Sequence, residues 1–143
     1  ISYLKVLKVY PEPQPVYSHP SLPDKVREAF EDLQRMLKQK FKPYFIVGGC
    51  RAVLEAAIAE LGGEGERLID KINDILTKGI ITKPLADWAH QIRVEGNVAL
   101  HELLHTEITP EEAEELVEFV KLFLVYTFEL PARIQERRKL THL

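Results

Sequence analysis

Prolines and glycines divide this sequence into five stretches in which apolar residues recur every three or four positions. That spacing is what a helix needs in order to bury one face. The first stretch, about 24–41, carries Val26, Ala29, Phe30, Leu33, Met36, Leu37 and Phe41. Pro23 and Asp24 suit its first turn, through a fixed φ and a charge that complements the helix dipole. The second, about 44–61, carries Ile46, Val47, Cys50, Val53, Leu54, Ala57, Ile58 and Leu61. Gly62-Gly63 ends it, because glycine accepts the left-handed geometry of a helix C-terminus. The third, about 64–78, uses Leu68, Ile69, Ile72, Ile75 and Leu76 and stops at Gly79. The fourth begins near Thr82–Pro84 and runs to about His105 through Leu85, Trp88, Ala89, Ile92, Ala99, Leu100, Leu103 and Leu104. Gly96 interrupts it, and a mid-helix glycine marks a close backbone approach or a kink. The fifth starts at Thr109-Pro110-Glu111-Glu112, where Thr109 and Glu112 have capping-box spacing and Pro110 takes the first helical position. Ala113, Leu116, Val117, Val120, Phe123, Leu124 and Phe128 form its apolar face, and Pro131 is expected to end it.

The flanks read differently. Residues 1–10 are rich in Tyr, Val and Leu and resemble a short strand or extended segment. Five of the nine prolines fall in 11–23, which makes that stretch an extended connector lying over the body. The expected organisation is an extended segment over 1–23, a helical domain over 24–131 and a basic tail over 132–143. Amphipathic helices with short connections predict an all-α bundle of five helices.

At 143 residues the chain is one domain. With 45% hydrophobic and 29% charged residues it is neither a disordered chain, nor collagen-like, nor a disulfide scaffold. The net charge of −3 argues against a general nucleic-acid coat, yet leaves room for a small local basic site. A single cysteine, Cys50, allows no intramolecular disulfide and fits a reducing, cytoplasmic setting. No window is apolar enough for a membrane span, and the N-terminus lacks the pattern of a secretory signal. The sequence starts at Ile1 rather than Met, which reads as a trimmed chain or a fragment.

Polar residues concentrate on the fourth stretch, and two readings compete there. His101-Glu102-Leu103-Leu104-His105 matches H-E-x-x-H, in which His101 and His105 would ligate zinc and Glu102 would act as general base. A third ligand would have to come from Glu111, Glu114, Glu115 or Glu118, and the sheet edge that usually accompanies this motif has one candidate, residues 1–10. The second reading starts from Arg93, Asn97 and His101, spaced four and four. On a helix they form one polar stripe about 12 Å long. A guanidinium, an amide and an imidazole in line suit an anion or a phosphate, and the imidazole titrates near neutral pH. This reading needs no cofactor.

Arg93-Val94-Glu95-Gly96-Asn97-Val98-Ala99-Leu100-His101 resembles the signature of the domain-of-unknown-function family numbered 4145. Gly49–Ala57, with Arg51 and Glu55, is similar to that family's arginine- and glutamate-bearing helix. The segments Ile72–Leu76 and Lys78–Ile81, the Glu-rich start of the fifth stretch, and Tyr126–Pro131 extend the resemblance over roughly 8–134 in order. It implies a HEPN-like helical bundle, a homodimer, and a partner that is nucleic acid or another protein of restriction or phage defence. Some HEPN proteins are metal-independent ribonucleases that use an arginine and a histidine separated by four to six residues. Here seven residues separate Arg93 from His101.

The same residues also suit plainer roles. Arg93 could pair with Glu55 or Asp87, and Asn97 and His101 could satisfy helix ends. Trp88 reads as core, Cys50 as a buried inert thiol, and Arg51 with Glu55 as a structural pair. His90 and His105 read as surface or interface residues. The tail with Arg133, Arg137, Arg138 and Lys139 reads as a solvated end, and the glutamates at 111–118 as a solvated face.

Overall fold

One helix is apolar on nearly every side, and the others are arranged around it. In the computed structural model, which describes residues 16–101 and 108–141 (side chains at 99–101 excepted), that helix is α2, Pro43–Glu60. It buries Ile46, Val47, Cys50, Val53, Leu54, Ala57 and Ile58. A helix apolar all round belongs inside a bundle, and α2 packs against α1 (Asp24–Lys38), α4 (Lys83–His101) and α5 (Pro110–Leu124). The short α3, Leu68–Thr77, packs on α2 and α4. The fold is therefore an all-α bundle, with no strand among the described residues. No helix among them is long and apolar enough to cross a membrane. The candidate strand at 1–10 lies outside the described residues.

The core follows the spacing in the sequence. Val26, Phe30 and Leu33 from α1, Ile72 and Ile75 from α3, Ala86, Ala89 and Ile92 from α4, and Leu116, Val120 and Phe123 from α5 meet the apolar faces of α2. The expected capping box at the start of α5 is formed: the Glu112 amide donates to Thr109 Oγ1 at 3.1 Å and the Thr109 amide to Glu112 Oε2 at 3.4 Å. Gly62 follows α2 with φ 87°, the left-handed conformation expected there.

Three helix boundaries differ from expectation. α1 ends at Lys38, not at about 41, which leaves Phe41 exposed. α3 begins at Leu68, not at 64. The Asp74 carboxylate accepts the Glu64 amide at 2.9 Å and the Asp70 carboxylate accepts the Arg67 amide at 3.2 Å, so side chains take the amides of this turn. The third difference is at Pro131, which does not end the last helix. α5 runs into a π turn, Val125–Glu129, and continues as α6, Leu130–Thr141. The Leu130 amide donates to the Val125 carbonyl, one residue further back than in an α-helix. This wider turn gives the Pro131 ring room from the carbonyl it would strike in a regular helix. The segment 132–141 expected as a tail is thus helical, and it buries no residue.

Residues 16–23 are irregular but anchored. The Tyr17 backbone is clamped by Gln34, whose Oε1 accepts the Tyr17 amide at 2.7 Å and whose Nε2 donates to the Tyr17 carbonyl at 2.9 Å. The Tyr17 hydroxyl donates to Glu129 Oε1 at 2.5 Å. One tyrosine thus links the N-terminal flank to the π turn.

Candidate functional site

The site begins with the contact between α2 and α4. A Cβ placed on Gly96 would lie 2.6 Å from the Arg51 Cβ, so glycine is what lets the two helices approach there. The Arg51 side chain then runs along α4, and its Nη1 donates to Asn97 Oδ1. Its Nε donates to Glu55 Oε1 at 3.2 Å. Two acceptors on two helices hold this guanidinium in one orientation.

Arg93 lies one turn before Asn97. Its Nε donates to His90 Nδ1 at 3.4 Å, and His90 Nε2 sits 2.9 Å from Asn73 Oδ1 on α3. An imidazole that accepts at Nδ1 and donates at Nε2 is neutral. Burial favours that state by lowering the His90 pKa, and the nearby Arg93 cation adds to it.

The third arginine, Arg67, comes from the turn before α3. Its Nε donates to Asp70 Oδ2 at 3.0 Å, which holds the Asp70 carboxyl below its ordinary pKa. Arg51, Arg67, Arg93 and Asn97, with Leu68 and Ile69 behind them, line one open depression of about 300 Å³. A second depression of about 270 Å³ shares Arg51, Arg67 and Leu68 and extends past Glu55 and Glu66 to Lys71. Three guanidiniums from three elements thus border one concavity. Guanidinium forks match the paired oxygens of a carboxylate or phosphate; Glu55 and Asp70 offset part of the charge of Arg51 and Arg67, while Arg93 bonds the neutral His90.

The structure brings Arg93 and Asn97 into the same depression. His101 is the last residue of α4, about 12 Å along the axis from Arg93, and its side chain is outside the described set, as are Glu102 and His105. Among the described residues no group of three or more His, Cys, Asp or Glu side chains could hold a metal. The carboxylates considered for Arg93 are engaged elsewhere: Glu55 with Arg51, and Asp87 with Lys83. Trp88 is partly buried and packs edge-on against Phe119, with ring centroids 5.7 Å apart, as a core residue does.

Sequence reasoning missed Arg67 entirely, and it read His90 as a surface or interface residue without finding its partner. The signal for Arg67 was its position just before α3, where a basic residue opposes the helix dipole and needs a local acid, here Asp70. His90 lies seven residues after Lys83, on the side of α4 that faces α3, so its partner Asn73 belongs to another helix.

The family model of a domain of unknown function (DUF4145) matches residues 31–140, a span that includes all four polar residues of the depression. No curated protein and no solved structure matches the chain.

Proposed function

The chain belongs to the DUF4145 family, and from that premise we propose that it is a helical interaction domain whose arginine-lined depression binds a phosphate group of a nucleic acid. The observation that carries this reading is the convergence of Arg51, Arg67 and Arg93 on one concavity with Asn97. These arginines are far apart in sequence, so the fold assembles the cluster. The overall charge of −3 supports a focused site rather than a broad basic surface. The resemblance to a family found beside restriction and phage-defence proteins supports nucleic acid as the source of the phosphate.

The test is fluorescence anisotropy with a labelled single-stranded RNA and its DNA counterpart. Each charge-assisted hydrogen bond to phosphate contributes about 1.5–3 kcal/mol, so an Arg67→Ala/Arg93→Ala double variant is expected to bind at least about tenfold more weakly. Affinity should fall with salt, with a log–log slope near −0.7 per phosphate neutralised. Unchanged affinity in a double variant with unaltered helical circular dichroism would overturn the proposal.

A second reading is a HEPN-type ribonuclease acting as a homodimer. The placement of Arg93, Asn97 and His101 at four-residue intervals along α4 favours it. His101 would move the proton, Arg93 would stabilise the charge of the phosphorane, and Asn97 would position the phosphate. RNA cleavage in the presence of EDTA, lost in His101→Ala, is the expected result. Failure to cleave any RNA tried would remove this reading and leave the binding proposal standing.

A further inference from the structure

From Leu33 to Leu54 the chain carries Arg35, Lys38, Lys40, Lys42 and Arg51 and not one aspartate or glutamate, although its net charge is −3. This stretch joins the end of α1 to the middle of α2, where Arg51 lines the arginine depression. The turn between the two helices presents two phenyl rings: Phe41 is 44% and Phe45 52% exposed. Lys40 and Lys42 are exposed beside them, and among the described residues neither has an ion pair.

The backbone fixes these rings at the surface. The Leu37 carbonyl accepts the Lys40 amide at 3.1 Å and the Met36 carbonyl accepts the Phe41 amide at 3.1 Å, which closes α1 through a left-handed residue. That residue is Lys40, with φ 57°, at a position that glycine fills without strain and a side chain does not. The Phe45 ring is backed by Tyr44, with centroids 4.5 Å apart, and Tyr44 packs against the core.

Open aromatic faces among lysines suit a base and its phosphate, because the base stacks on the ring while the cation meets the backbone. Neighbouring pairs cover the faces of a base inside a duplex, so only an unpaired base can stack here. Phe45 precedes Arg51 by six residues on α2, about 9 Å along the axis and about a third of a turn around it. A strand covers that interval in a few nucleotides. An anionic bilayer would also attract lysines, but two half-exposed rings are little apolar surface for an anchor, and a flat bilayer does not follow the charge into a concavity.

We propose that the turn between α1 and α2 is a stacking platform for unpaired bases, and that the nucleic acid held by the arginine depression is single-stranded. The proposal rests on the reading of that depression as a phosphate site.

The test is fluorescence anisotropy of the 143-residue chain with a labelled oligonucleotide, single-stranded or annealed to its complement, across a salt series. The wild-type chain is expected to bind the single strand at least about tenfold more tightly than the duplex. Phe41→Ala/Phe45→Ala should weaken single-strand binding at least about tenfold. The salt slope should stay the same, since no cation is removed, and duplex binding should be unaltered. Phe41→Tyr/Phe45→Tyr, which keeps both rings, should bind like wild type. Phe45→Trp reports the contact without removing a ring: its emission should be quenched by the single strand and not by the duplex, over the background of Trp88. It decides alone if the alanine variant loses its helical circular dichroism.

A wild-type chain without preference for the single strand, or Phe45→Trp emission that the strand leaves unchanged, would overturn the proposal. Binding lost in Arg67→Ala/Arg93→Ala but kept in a folded Phe41→Ala/Phe45→Ala would overturn it and leave the phosphate reading standing. The reverse pattern would overturn the phosphate reading and leave the base contact standing. A wild-type chain that binds no oligonucleotide would overturn both, and sedimentation of that chain with phosphatidylserine vesicles, lost in Phe41→Ala/Phe45→Ala, would assign the turn to a membrane surface instead.

Discussion

Gly96 lies directly beneath the side chain of Arg51: a Cβ at 96 would be 2.6 Å from the Arg51 Cβ, 3.2 Å from its Cδ and 3.3 Å from its Cγ. The residue that lets α2 and α4 approach is also the one over which the Arg51 guanidinium reaches Asn97. Packing and site geometry therefore share one contact.

Gly96→Ala accordingly sets two effects against each other. Alanine gains about 1 kcal/mol of helix propensity. Overpacking costs about 1–3 kcal/mol when a methyl meets a fixed part of a neighbour, and the Arg51 Cβ is such a part. The expected outcome is a net loss of up to about 2 kcal/mol, together with weaker oligonucleotide binding. Urea unfolding and anisotropy on the same variant check both.

Asn97→Ala removes the amide that orients Arg51 without adding bulk. Stability should change by about 1 kcal/mol, the net worth of a typical hydrogen bond, while oligonucleotide affinity falls several-fold and its salt slope stays the same. A flatter slope would mean that Asn97 acts by removing a phosphate contact altogether.

Tyr17→Phe tests the anchor of the N-terminal flank. The hydroxyl donates to a carboxylate, and Glu129 keeps its bond to Arg133 when the tyrosine is gone. The expected cost is about 1–2 kcal/mol, seen as a lower urea midpoint at unchanged slope.

Cys50 and His90 each contribute to one limb of a pH–stability profile. Burial, with a contribution from Glu95, pushes the Cys50 thiol from 9.0 up to about 12. The unfolded chain then ionises this thiol before the folded one does. Its stabilising contribution is full below about pH 9 and is lost as the pH rises toward 12. His90 is shifted downward, so the unfolded chain takes up the proton first, and stability falls as the pH drops below the ordinary histidine range. Thermal melts across pH should show both limbs. Cys50→Ala should remove the part of the alkaline limb that begins near pH 9 and leave the part that Tyr17, also raised by burial, contributes above pH 10; His90→Gln should remove the part just below the histidine range and leave the more acid part set by Asp70, Asp74 and Glu129. A thiol reagent should label Cys50 only as fast as the protein unfolds.

Much of the bundle was legible because periodicity is a local property. Val26, Phe30 and Leu33, or Leu116, Val120 and Phe123, declare a buried face without knowledge of what they pack against. Arg93 and Asn97 could be placed together for the same reason, one helical turn apart. Arg67 could not, because its contribution depends on how α3 is set against α2 and α4. Arg51 and Glu55 were legible as a pair four residues apart, but the bond from Arg51 to Asn97 spans two helices and leaves no trace in spacing. Pro131 misled for a different reason. A proline forbids a regular α-helical turn around it, and the chain answered with a wider turn, which no residue pattern from 125 to 129 announces.

That wider turn sets the phase of everything after it. One additional residue per turn rotates the downstream helix by about 100° relative to an unbroken α-helix. Leu130, Ile134 and Leu140 thereby point in a direction that α5 alone would not dictate, and Glu129 is turned toward Tyr17. The turn behaves like an indexing gear between two rods, in which the loss or gain of one residue would leave both helices intact while re-aiming the second.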